Sequence, residues 1–142
     1  MMRLLIHGSL VVVVAAGLVV SSSHAQVSDT NVAQASAESW LSLIDNQRYA
    51  ASWDEAAGLF KSAVTQDTWR TAAEAARRPL GTVKSRALFS ATATKVIPGA
   101  PPGDYVVFQF NAVFEQRPSA IETITTIRES DGVWRVGGYF IK

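Results

Sequence analysis

Asp45 and Tyr49 lie four residues apart and are the side chains that invite a chemical reading first. A carboxylate in an apolar cavity can take a proton from carbon, and a phenol beside it can hold the oxyanion that forms. With Asp54, Glu55 and Tyr105 these residues are the parts available for such work. On that reading the protein is a carboxylate-dependent isomerase or lyase with Asp45 as the base. The competing reading makes Asp45 a solvated helix end, and it makes Asp54 and Glu55 plain helix-capping residues. No catalytic residue is therefore assigned, and Asp45 is the single candidate to test.

The aromatic residues offer a second kind of chemistry. Trp40, Trp53 and Trp69 fall on successive helical stretches, and Trp134 and Tyr139 on the final strand. Aromatics of this number ordinarily fill a core. The sharper alternative is a pocket between helices and sheet wetted by Tyr49, Trp53, Trp69 and Arg86, which are the candidate ligand-binding residues. An arginine facing such a cavity is costly unless paired. Arg86 is thus expected, in order, to face solvent, to pair with an acid such as Asp45 or Glu55, or to read an anionic ligand.

Other arrangements are excluded. The only histidines are His7 and His24, and there is no cysteine. Both histidines lie in residues 1–25, which read as a removable export signal: Arg3 at the start, an unbroken apolar and small run over residues 10–20, then Ser23 and Ala25 as the small residues before a cleavage point after Ala25. Counted from Leu4 the run is 17 residues interrupted by His7, short of the roughly 20 a spanning helix needs. A periplasmic or secreted bacterial protein with no stable membrane anchor is expected. Without His or Cys, residues 26–142 cannot hold a Ser-His-Asp or Cys-His triad, a thiol nucleophile, a conventional zinc site, His-ligated haem or a disulfide. Lys84 and Ser85 are strand neighbours pointing to opposite faces, so they cannot form a nucleophile pair. Residues 129–132 read as a hairpin turn, not a calcium loop. No metal and no cofactor is expected. Arg77-Arg78 reads as a favourable charge at a helix C-terminus. Removing Arg3 leaves 12 basic and 12 acidic side chains, a neutral balance that gives no field to draw nucleic acid.

These groups must be positioned by one domain, residues 26–142. Residues 29–79 are rich in Ala and helix formers, and residues 82–142 in Val, Ile, Thr and Phe with period-two alternation, the pattern of an α+β domain. Three helices are expected. The first spans about residues 29–46 behind a Ser28 cap, with Ala33, Ala37, Trp40, Leu41 and Ile44 on one face. The second starts at the capping box Ser52-Trp53-Asp54-Glu55 and buries Ala56, Ala57, Phe60 and Val64. The third spans about residues 66–78, packs Trp69, Ala72, Ala73 and Ala76, and ends at Pro79 and Gly81. Four strands are expected over residues 83–97, 105–115, 119–129 and 133–141, with a turn at 98–104, a hairpin at Asp131-Gly132 and a bulge at Gly137-Gly138. Val106, Phe108, Phe110, Ala112 and Phe114 should face the helices of a four-stranded antiparallel meander.

So placed, the chain resembles a family of small exported bacterial proteins, the domain of unknown function 4019. The resemblance is carried by Trp40 to Asp45 with Tyr49, Ser52-Trp53 with Ala56-Ala57 and Phe60, and Val64-Thr65 with Trp69. It continues through Arg78-Pro79-Leu80-Gly81 with Ser85-Arg86, Pro98-Gly99, Gly103, Tyr105 and the strand from Phe108 to Phe114, and closes with Asp131-Gly132 and Trp134 to Ile141. Each piece is common alone; their order over most of the chain is specific. The resemblance implies the cone-like arrangement of NTF2-like or cystatin-like proteins, helices on a curved sheet, and brings no catalytic residue with it. Ketosteroid isomerases show that NTF2-like cones can house carboxylate catalysis. The expectation is an exported, non-catalytic binding domain for a small apolar ligand or an envelope protein, with the Asp45 enzyme as the alternative.

Overall fold

The structure, a computed structural model, describes residues 21–142, with side chains from Val27 onward. The expected export signal lies outside the described residues except at its last five positions. Helix α1 (Ser21–Asp45) is followed by α2 (Tyr49–Asp54), α3 (Gly58–Ala63), α4 (Gln66–Arg77) and a 3-10 turn (Arg78–Leu80). Strands β1 (Val83–Thr94), β2 (Tyr105–Phe114), β3 (Arg117–Arg128) and β4 (Trp134–Ile141) complete the chain. The architecture is α+β, with an open antiparallel sheet in the order β1-β2-β3-β4.

Helix α1 buries Ala33, Ala37, Trp40, Leu41 and Ile44, as their spacing requires. Its start differs from expectation: Ser28 lies inside the helix and caps nothing. At its far end Gln47 adopts φ +59°, and the N–H of Arg48 closes on the carbonyl of Leu43, a left-handed helix termination.

The single helix expected from Ser52 is two short helices, so the count is four, not three. Ser52 is not a cap. It is fully buried within α2, where its hydroxyl donates to the Tyr49 carbonyl and accepts from Nε1 of Trp69 at 2.9 Å. Its carbonyl accepts from Nε1 of Trp40 at 2.8 Å. Satisfying two buried indole N–H groups outweighs an exposed cap. The chain then breaks at Ala56-Ala57, where the Ala57 N–H donates to the Val136 carbonyl of β4. Ala56, Ala57 and Phe60 are buried as expected.

Thr65 caps α4 by accepting from the Thr68 N–H. Trp69 and Ala73 face inward, but Ala72 and Ala76 are exposed. The next inward position belongs to Arg77, 5% exposed, which is no solvated helix-end charge.

The phenylalanine face of β2 packs under the helices, with Phe108, Phe110 and Phe114 at most 2% exposed. Ile124 of β3 with Trp134 and Val136 of β4 joins that core, and Leu80, Ala112, Phe114 and Ala120 form a smaller cluster at one end. Gly137 is the extra residue where the register shifts opposite Thr125 and Thr126, a β-bulge in the edge strand.

Candidate functional site

Five elements, α1, α4, β1, β3 and β4, each deliver a chemistry-bearing side chain to one spot between the helices and the sheet. The strand alternation points Arg86 of β1 and Glu122 of β3 to the helix side: Arg86 pairs in register with Ala112, and Glu122 with Phe110, both buried. Asp45 arrives from the end of α1 and Arg77 from the end of α4; Tyr139 comes from β4.

Arg86 is the hub. Its Nη1 and Nη2 donate to the two carboxylate oxygens of Asp45 at 2.8 and 2.9 Å, and its Nε donates to Oε1 of Glu122 at 2.6 Å. Nη2 of Arg77 donates to the same Asp45 oxygen at 2.9 Å, while its guanidinium carbon sits 4.8 Å from the centre of the Phe114 ring. The Tyr139 hydroxyl donates to the other oxygen of Glu122 at 2.5 Å. Two arginines meet two carboxylates, so the cluster is neutral. Glu122 is wholly buried and Asp45 is 18% exposed.

The electrostatics follow from this packing. Burial pushes the Asp45 carboxyl upward, but hydrogen bonds from Arg86 and Arg77 outweigh it and hold its pKa below that of a free aspartate. Burial, then the neighbouring Glu122 carboxylate, pushes the Tyr139 phenol well above its ordinary value. Burial opposes the charge on Arg86, yet its bonds to Asp45 and Glu122 raise its pKa further. Each carboxylate oxygen of Asp45 and Glu122 accepts at least one of these bonds. The arrangement clamps helices to sheet.

The four candidate ligand residues are not gathered into one pocket. Tyr49 shares a cavity of about 220 Å³ with Asp45 and Arg77. Trp69 stacks in an aromatic cluster with Trp40, Phe60 and Tyr139, at centroid distances of 4.9 to 6.5 Å. Trp53 donates through Nε1 to the Val64 carbonyl and lies under the ammonium of Lys61. Arg86 pairs with Asp45, one of the two acids expected for it; Glu55 instead lines a different cavity. Glu122, Arg77 and Tyr139 were not singled out as site residues. Their signal was in the spacing: Glu122 is the lone acid on the face of β3 that carries Ala120 and Ile124, and Arg77 continues the Trp69–Ala73 stripe.

An open groove of about 780 Å³ runs between α1, α2 and the β3–β4 turn. Its floor is Trp40, Trp134 and Val136; Val32 and Val133, 54% and 46% exposed, form apolar shoulders, and Arg48 and Glu55 stand at the rim. Among the described residues no cluster of His, Cys, Asp and Glu could hold a metal ion, and no helix is long and apolar enough to cross a membrane.

A family described as "Protein of unknown function (DUF4019)" matches residues 36–139. The match begins within α1, ends within β4, and includes all five members of the buried cluster. No curated protein matches the chain.

Proposed function

This chain belongs to the DUF4019 family of proteins of unknown function, and from that premise we propose that it is a non-catalytic binding domain whose partner is another protein of the cell envelope. The observation that carries the proposal is the groove of about 780 Å³ beside a core whose acidic groups are already committed to one another. An apolar floor with charged residues at an open rim is the composition of a protein interface. A small apolar ligand favours a more enclosed pocket. The reading includes export through cleavage after Ala25, so that the domain works in the periplasm or outside the cell, and an NTF2-like or cystatin-like kinship for helices packed on a curved sheet.

The alternative, an enzyme using Asp45 as base, has no geometric observation in its favour. A general base needs an available lone pair and a pKa near the working pH; both oxygens of Asp45 accept from guanidinium groups and its pKa is lowered.

Replacing Val133, on the exposed shoulder, with Asp is the test. The Val133→Asp protein is expected to fold as before and to lose a partner that the unaltered protein retains on gentle isolation from its host's envelope. Retention of that partner by the variant contradicts the assignment to this groove.

A further inference from the structure

The two outer edges of the sheet differ. On β4 the Trp134 carbonyl accepts from the Ser36 hydroxyl at 2.7 Å, and the Val136 carbonyl from the Ala57 N–H at 2.8 Å, so helical segments occupy that edge. On β1, the opposite edge, no helix, loop or side chain among the described residues bonds to the backbone. An open row of backbone N–H and C=O groups is a template for another strand, and proteins blunt it with short length, lysine, proline, a bulge or a cover.

β1 carries little of that protection. It is twelve residues long, with neither charge nor proline from Ala87 to Thr94, and its one device there is the irregularity between Leu88 and Ser90. Leu88 and Phe89 are 42% and 65% exposed. Ala91 and Ala93 pair with the inward-facing Phe108 and Val106, yet both are exposed, so the helical layer stops short of this strand. The cations flanking the run are spent within the chain: Arg86 on Asp45 and Glu122, Lys84 on Glu115, Lys95 on Asp104.

We propose that the β1 edge pairs with β1 of a second copy of this chain, antiparallel across a two-fold axis at Ala91, joining two sheets into one. Charge and shape favour a second copy over a foreign strand. About that axis Ala91 opposes itself, Ser90 of each copy opposes Thr92 of the other, Phe89 opposes Ala93 and Leu88 opposes Thr94, so no charge meets a charge. Hydroxyl pairs such as Ser with Thr are favourable cross-strand neighbours, and a large side chain beside a small one fills space. An axis midway between Phe89 and Ser90 would instead set Lys84 against Lys95. Because β4 has its edge occupied, the pairing closes at two copies, as an isologous contact does. It is separate from the groove, which β1 does not line.

Sedimentation equilibrium of the unaltered protein is expected to give the mass of two chains. Ala91→Lys and Ala91→Glu each set like charges directly opposite one another at the axis, and each is expected to sediment as one chain while keeping the circular dichroism of the folded protein. Mixed in equal amounts, the two variants are expected to return to the mass of two chains, a recovery that only proximity of position 91 to its own counterpart produces. Val133→Asp, in the groove, is expected to keep the paired mass. A single-chain mass for the unaltered protein overturns the proposal, as do variants that stay paired alone, a mixture that stays single, or assemblies that grow beyond two copies. Loss of pairing in Val133→Asp overturns it too, by moving the contact to the groove.

Discussion

Arg86 spends all three of its nitrogens on two carboxylates, one of them wholly buried, so its removal strands a charge. Arg86→Met is expected to lower stability by about 3–5 kcal/mol, the range for breaking one side of a buried pair, as read by urea unfolding. Adding Glu122→Gln to it removes the stranded charge and should recover a large part of that loss. Asp45 adds a pH dependence whose sign is fixed by its lowered pKa. Its contribution is complete above the value of a free aspartate, 3.8, and is lost as the pH falls through the lower folded value. Stability measured from neutrality down through that window should therefore decline, and Asp45→Asn should be less stable near neutrality with a shallower decline, the gap closing as the pH falls through the folded value. The first expectation for Arg86, a solvent-facing side chain, does not hold, since it is 16% exposed and bonded to Asp45; the second, pairing with an acid, does, because an inward arginine on a strand demands one. Glu122 was harder to see, since its role depends on which face of β3 the helices cover, and alternation alone leaves that choice open.

At the scale of elements, the sheet was the most legible part. Period-two runs, the proline-rich turn, Asp131-Gly132 and the glycine pair each have a local cause, and all four strands, their antiparallel order and the bulge at Gly137 appear where those signals put them. The helices were less so. Ser52-x-x-Glu55 has the letters of a capping box, but two tryptophans distant in sequence claim Ser52 for the core, and no local pattern reports that demand. The true cap is Thr65; Thr65→Ala should cost about 1 kcal/mol in thermal unfolding, whereas Ser28→Ala, inside α1, should leave the midpoint unchanged. Gly81 ends the 3-10 turn at φ +72°, and a Cβ there would meet Glu115 Oε2 at 2.9 Å. Gly81→Ala is therefore expected to destabilise by about 1–3 kcal/mol, more than Ala at Gly137, whose nearest neighbour would be 3.6 Å away.

For the molecule as a whole, one clamp ties α1, α4, β1, β3 and β4 together at one end, while the other end opens into the groove between α1, α2 and β4. A frame whose two inward acids, Asp45 and Glu122, are spent on its own arginines, with an apolar, charge-rimmed groove on its surface, is suited to holding a partner. Composition leaves no thiol in the chain and no histidine after His24, but a groove made by three elements meeting is a tertiary feature that no single stretch of sequence encodes. The central claim, partner binding in the groove, is tested most directly by native mass spectrometry of the protein isolated gently from its host's envelope, beside Val133→Asp treated identically. The account predicts the added mass of a protein other than this chain, present with the unaltered chain and absent with the variant. No such mass in either preparation, one that survives the substitution, or an adduct of only small-molecule size would contradict it.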